Sequence, residues 1–408
     1  MKKLCKIVLV LFVMMAGSSF AALAEEEADS TPSRVLNVVY DDSGSMLING
    51  DTWVDTWCQA KYAMEVFAAL LEEKDTLNIF PMSTNSSSGR NPDMITVSGK
   101  DPVSQRVSRI HDMQTEQALG TPYNAVSQAV EHLKRQNAEQ KWLIVLTDGQ
   151  FDEDGTKPAD LNRTFRGYTA DGMKIVFLTI GQNTDRVDTD PEHGIFAENA
   201  ASSTEVIDRV TTISNQIFER NALSGIDAQN GTFSFDVPMS QLIVFAQGDA
   251  VQINGISGGS ALRKESEVNV QYSDLIPKNY EDEREHIVVA KDLKGTVTVF
   301  APKDGEEIEP GDYQLDVQGA QRVEIYYKPN VDVGIRVFQG TQDVTDHDAL
   351  EAGTYTNRVG FLDDESGEFI ESPLLGEIDA DATITNNGTQ VEVSNDNEFT
   401  VDIGEADI

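Results

Sequence analysis

Residues 35–46 read VLNVVYDDSGSM, a short, nearly all-apolar run that ends abruptly in aspartate, serine and glycine. A strand this short and this apolar suits burial on both faces, as in a parallel sheet covered by helices on each side. The pattern recurs at Leu77–Phe80, at Trp142–Thr147 (WLIVLT) and at Lys174–Ile180 (KIVFLTI). Between these runs, Trp57–Glu73, Pro102–Met113, Pro122–Asn137, Pro158–Ala170 and Ser203–Arg220 read as helices. Pro122 takes a favoured first-turn place, and Ala125, Val126, Ala129, Val130 and Leu133 follow at helical spacing. Strands alternating with helices over 33–223 predict a doubly wound, mostly parallel α/β sheet.

Past Asn221 the helical period stops. Short alternating segments separated by Gly, Asp, Asn and Pro predict two all-β, immunoglobulin-like sandwiches over 229–329 and 331–408, divided near Lys328-Pro329-Asn330. Expected strands include Thr232–Asp236, Gln241–Ala246, Glu267–Gln271, His286–Ala290, Gly295–Phe300, Val323–Tyr327 and Thr354–Phe361, with turns at Asp304-Gly305, Pro310-Gly311 and Asn387-Gly388. On this division a chain cut after about Arg220 leaves a folded α/β domain.

The 408 residues carry 31 Lys+Arg against 69 Asp+Glu, a net charge of −38. Such a surface repels phosphate backbones and anionic head groups, so neither nucleic-acid nor peripheral-membrane binding is expected. Lys2, Lys3 and Lys6, the apolar run Ile7–Ala16 and then Ala22-Leu23-Ala24 have the layout of a secretory signal peptide over 1–24. Cleavage removes three lysines and no acid, taking the charge from −38 to −41. Of the two cysteines, Cys5 leaves with that segment and Cys58 is left without an intramolecular partner. The expected destination is the cell surface or the exterior, and bacterial export suits the absence of a disulfide framework.

The first strand delivers Asp41, Ser43 and Ser45 at alternate loop positions; Gly120-Thr121-Pro122 precedes a helix; Thr147-Asp148-Gly149 ends the strongest strand. In an open α/β sheet ligands bind beyond the carboxyl ends of the strands, so the three loops should meet there. Their donors are hard oxygens, which suit Mg²⁺ better than Zn²⁺. The plainer reading is that Asp41 caps a turn, Ser43 and Ser45 satisfy backbone groups, and Thr121 and Asp148 cap helices.

These three parts, in this order, resemble the von Willebrand factor type A (VWA) domain with its metal-ion-dependent adhesion site (MIDAS), over roughly 33–223. The resemblance implies a Rossmann-like fold in which Ser43, Ser45 and Thr121 supply hydroxyl ligands, while Asp41 and Asp148 bind directly or through water. It implies Mg²⁺, with Mn²⁺ or Ca²⁺ as other candidates, and an open coordination position for an Asp or Glu side chain of a protein ligand. The segment Ser83–Asp101 has no counterpart in that pattern.

Other residues are better read as structural. Asp42 is expected beside the site rather than in it. Trp53 is either core or a partner anchor, and Trp57 and Cys58 are core. Asp152-Glu153-Asp154-Gly155, Asp185–Asp190 and Asp343, Asp346 and Asp348 lack EF-hand spacing and read as solvated loops. The five histidines are scattered, and no nucleophile with a base is recognisable, so a binding or adhesion module rather than an enzyme is expected. The alternative is a pilus-like structural component whose metal only stabilises the loops.

Overall fold

The computed structural model describes residues 4–13, 33–85, 94–114, 120–152, 154–180, 186–218, 230–272, 275–303, 307–345, 353–363, 366–375, 377–386, 389–394 and 398–403. Within 33–218 the sheet strands are β1 (Arg34–Tyr40), β2 (Thr76–Pro81), β3 (Ile95–Ser98), β4 (Gln140–Thr147), β5 (Met173–Ile180) and β6 (Ile195–Ala200). The helices are α1 (Thr56–Leu70), α2 (Val103–His111), α3 (Asn124–Lys134), α4 (Leu161–Ala170) and α5 (Ser203–Ile217). The strands lie in the order β3-β2-β1-β4-β5-β6, all parallel except the antiparallel pair β2 and β3. This is the expected doubly wound sheet, and the strand order reverses between β1 and β4.

Alternate residues of each strand feed two cores. Leu36, Val38, Ile144 and Leu146 pack with α1 and α5, whereas Val39, Leu143, Val145 and Phe177 pack with α3 and α4. One polar ladder crosses the sheet: Thr96 Oγ1 donates to Asn78 Oδ1 (2.9 Å), Asn78 Nδ2 to Asn37 Oδ1 (2.9 Å), and Asn37 Nδ2 to the Ala129 carbonyl (2.8 Å). Satisfied in this way, a buried asparagine pair pins register instead of weakening the sheet. β3 and β6 lie outside the strands read from the sequence, because both are edge strands with partly exposed residues and lack the continuous apolar run.

The following unit is a sandwich. β7 (Thr232–Phe235), β8 (Met239–Gln247), β9 (Gln252–Gly258), β10 (Leu262–Gln271), β11 (Lys294–Pro302), β12 (Gly311–Gln318) and β13 (Arg322–Pro329) form antiparallel sheets β7-β12-β9 and β10-β11-β8-β13. Between them lie Phe233, Phe235, Leu242, Val244, Ile253, Phe300, Tyr313 and Ile325. The stretch His286–Ala290, expected as a strand, forms none. Its backbone is engaged instead by α1, since Trp57 Nε1 donates to the Val288 carbonyl (3.1 Å) and the Ala290 N–H donates to Cys58 Sγ (3.0 Å).

That contact is part of a wider correction. The outer face of the four-stranded sheet (Ile243, Phe245, Val270, Val297, Val299, Tyr326) joins the same apolar core as Leu36, Trp57, Phe67 and Ile110 of the α/β unit. Every residue of α1 from Trp57 to Leu70 is buried, on one side by the α/β sheet and on another by the sandwich. The α/β unit therefore shares its apolar core with the sandwich, a contact that the expectation of a domain standing without its neighbour does not include. Trp53, on the hairpin Ile48–Asn49/Thr52–Trp53, meets this neighbour too, stacking on His286 at 5.8 Å and meeting Tyr280 edge-on at 6.1 Å.

Beyond β13, β14 (Val331–Gln339), β15 (Gly353–Asp363) and β18 (Glu398–Ile403) pair antiparallel, and β16 (Glu377–Asn386) pairs with β17 (Thr389–Ser394). The apolar segment Leu4–Val13 runs as a strand parallel to β16. Among the described residues no helix is long and apolar enough to cross a membrane. The turns Asp304-Gly305 and Asn387-Gly388, the segment Ala22-Leu23-Ala24, and Asp185, Asp346 and Asp348 lie outside the described residues.

Candidate metal centre

β1 and β4 are neighbours with Tyr40 opposite Leu146, and the ladder runs one bond further: Asp41 N–H donates to the Leu146 carbonyl at 3.0 Å. The carboxyl ends of both strands thus open side by side where the strand order reverses, which is where such sheets bind ligands. After Asp41 the chain tightens into a 3-10 turn, Gly44–Met46, with Met46 N–H donating to the Ser43 carbonyl (3.2 Å) and Leu47 N–H to the Gly44 carbonyl (3.0 Å).

Four of the five expected site residues fall into one hydrogen-bonded network. Ser43 Oγ and Ser45 Oγ are 3.0 Å apart, and Ser45 Oγ donates to Asp148 Oδ1 at 2.9 Å. Asp41 is anchored from both strands: Oδ1 accepts from the Ser43 N–H (3.0 Å) and Oδ2 from Thr147 Oγ1 (2.6 Å). The turn-capping role of Asp41 is thus real and coexists with its place in the network. Thr147, fully buried, is a supporting residue the sequence reading left without a role; its place beside Asp148 at a strand end was the available signal.

The fifth residue, Thr121, makes a different set of contacts. Its hydroxyl donates to the Gln150 carbonyl (2.5 Å) and lies 3.3 Å from Asp152 Oδ1, and its N–H donates to Asp152 Oδ2 (2.9 Å). Asp152, read from sequence as a solvated acid, is thereby tied to the Thr121 loop. Its neighbour Asp154 does behave as a loop acid, accepting from Thr156 N–H (2.8 Å) and Oγ1 (2.6 Å). Asp190 and Asp343 likewise take local partners, Arg166 and His193 in one case and Thr345 and Arg336 in the other.

Electrostatics single out the cluster. Burial raises the Asp41 carboxyl above the usual carboxylate range against the lowering effect of Thr147 and Ser43. Burial and then the nearby charge of Asp41 push Asp148 up to about 6. Two neighbouring carboxylates, Asp41 buried and Asp148 partly so, repel, and among the described residues no lysine, arginine or histidine pairs with either. A bound cation would remove that repulsion. Among the described residues no three His, Cys, Asp or Glu side chains converge. A cation here would thus lean on hydroxyl oxygens and retained waters beside two carboxylates, a donor set that suits a hard ion such as Mg²⁺, Mn²⁺ or Ca²⁺ rather than one that wants thiolate or imidazole. The residues present fit a hard divalent ion.

Asp42 is buried, and its Oδ1 accepts from the Ser83 N–H (2.7 Å), so it anchors the end of β2 to the site loop. Residues 86–93 of the segment expected to be peculiar to this chain lie outside the described residues, while its far part supplies edge strand β3. Cys58 is buried structural material: burial pushes its thiol up to about 12, and Sγ donates to the Asp55 carbonyl at 3.1 Å.

Fold and site together define a doubly wound α/β unit with an oxygen-rich cluster at its switch point, fused to antiparallel β units. No family model and no curated protein matches the chain. Among solved structures, a von Willebrand factor type A from Catenulispora acidiphila is 12% identical over 80% of this chain and 62% of that chain, at a TM-score of 0.33. The pilus adhesin SpaC from Lactobacillus rhamnosus GG, in its open conformation, is 12% identical over 93% and 53%, also at 0.33. The PilB minor pilin from Streptococcus sanguinis is 12% identical over 48% and 63%, again at 0.33. The chain thus spans between half and two thirds of the length of these structures, and at such identities and TM-scores the likeness assigns neither activity nor partner.

Proposed function

We propose that this protein is a cell-surface or secreted binding module that holds Mg²⁺ through Asp41, Ser43, Ser45, Asp148 and Thr121 and offers an open coordination position to an acidic side chain of a protein ligand. The observation that carries the reading is the continuous network Ser43, Ser45, Asp148 at the carboxyl ends of β1 and β4, with two carboxylates that have no basic partner among the described residues. Two carboxylates around a divalent ion leave a locally neutral centre. Such a centre recruits a third carboxylate even on a chain of net charge −38. The secretory layout of residues 1–24 supports the location, and the sequence offers no nucleophile and base for catalysis.

The test is a thermal melt of the chelated protein with and without Mg²⁺ or Mn²⁺. At one hundred times its dissociation constant, an ion that binds only the folded state adds about 2.7 kcal/mol. The midpoint should rise by several degrees in the wild type and stay put in Asp148→Ala, whose change touches a loop carboxylate and no core. An equal rise in both proteins, or none in the wild type, would overturn the reading; the second result favours the structural role, in which the shared core matters and the cluster only knits the loops.

A further inference from the structure

Thr121 is the one member of the proposed ligand set that no strand of the sheet carries to the site; it stands on the connection into α3. We propose that Asp152 is the positioning residue that braces Thr121 against the Asp148 loop and turns its hydroxyl oxygen toward the ion, an inference that rests on the cation reading above. Four contacts make the brace. Asp152 N–H donates to the Thr121 carbonyl (3.0 Å), Thr121 N–H donates to Asp152 Oδ2 (2.9 Å), and Thr121 Oγ1 sits 2.5 Å from the Gln150 carbonyl and 3.3 Å from Asp152 Oδ1. Gly120 makes the approach feasible, because a Cβ there would lie 2.3 Å from Asp152 Oδ2.

The chemistry follows from the hydroxyl's inventory. It has one hydrogen and two lone pairs, and here the hydrogen is committed to the 150–152 segment, which leaves lone pairs for a cation. That segment begins two residues after Asp148, so the brace fixes the separation between the hydroxyl ligand and the carboxylate it must share an ion with. Partners that orient a metal ligand in this way are worth about 10–100-fold in metal affinity.

Calorimetric titration of the full chain with Mn²⁺ tests this as a cycle of Asp152→Ala, Thr121→Ala and the double variant. Asp152→Ala alone should weaken binding about tenfold. In the Thr121→Ala background the same change should weaken it by less than about twofold, because only the loss of a nearby charge remains. Asp152→Asn, which keeps an acceptor for the Thr121 N–H, should recover most of the affinity and guards against misfolding of the alanine variant. Equal losses in the two backgrounds would show Asp152 to be a remote charge or a ligand itself and overturn the brace, as would wild-type affinity in Asp152→Ala. Absence of Mn²⁺ binding by the wild type overturns the cation reading and the brace together, whereas binding abolished by Asp148→Ala without the Thr121 coupling overturns the brace alone.

Discussion

A chain ending at residue 220 should fail to give a soluble, cooperatively melting α/β domain. Removing the sandwich uncovers the side of the core that Ile243, Phe245, Val270, Val297, Val299 and Tyr326 close, and it strips the Val288 carbonyl from Trp57 and the Ala290 N–H from Cys58. Re-exposing a large apolar side chain costs about 1.5–3 kcal/mol. Re-exposing even a few such side chains would remove a large share of the stability of an ordinary domain, about 5–15 kcal/mol in all. Expression of 33–220 beside the full chain, with circular dichroism melts of both, decides it. A fragment that melts cooperatively within a few degrees of the full chain would show that the shared core is dispensable.

The second large effect belongs to His111. Its Nδ1 lies 2.8 Å from Oε1 of Glu65, a carboxylate with no exposed surface, whose Oε2 accepts the Gln271 N–H of β10 at 3.2 Å. The pair therefore sits at the seam between α1, α2 and the sandwich. Lys61 approaches from α1, giving its ammonium to the carbonyls of His111 (3.1 Å) and Met113 (2.8 Å), and Asp112 adjoins on the chain. His111→Ala leaves the buried Glu65 carboxyl short of a hydrogen-bond partner, a loss of about 1–3 kcal/mol. Adding Glu65→Gln should restore much of this, because the cost is a buried carboxyl left short of a partner and not the missing ring; a double variant as unstable as the single one would sink the explanation.

The same pair makes stability depend on pH. The hydrogen bond to Glu65 raises the His111 pKa above its ordinary value, and burial raises that of Glu65. A group whose pKa is raised by folding contributes stability that is complete below its unfolded value, about 6.5 for histidine, and is lost as pH climbs through the folded value. Buried Glu65 acts in the same direction, since its ionised form is the one that folding disfavours. The chelated protein should therefore lose melting temperature as pH rises above about 6.5, and the slope there should flatten in His111→Gln.

Much of this molecule was legible without coordinates, for identifiable reasons. The runs at 35–40, 77–80, 142–147 and 174–180 are central strands buried on both faces, so hydrophobicity alone marked them, and the helices between them carried their own period. Asp41, Ser43, Ser45 and Asp148 were readable as a group because strand ends in such a sheet deliver their loops to one place. Sequence could not show where α1 goes. A helix apolar on nearly every side announces that it will be covered, but the partner that covers it lies some two hundred residues away, and only tertiary contact names it as the sandwich.

Three roles were settled by tertiary contact and by nothing local. His286–Ala290 has the composition of a strand, yet its backbone groups meet Trp57 and Cys58 instead of a ladder. Asp152 has the look of a solvated acid, yet a glycine-lined approach brings it onto Thr121. His111, one of five scattered histidines, becomes the hydrogen-bond partner of a buried carboxyl because packing sets Glu65 beside it. By itself the sequence determined the central strands, the helices between them and four of the oxygens that meet at the switch point, since these follow from period and chain order. The tertiary structure alone decided which buried faces close on each other and which charges become neighbours, because those depend on distances between segments that no local pattern encodes.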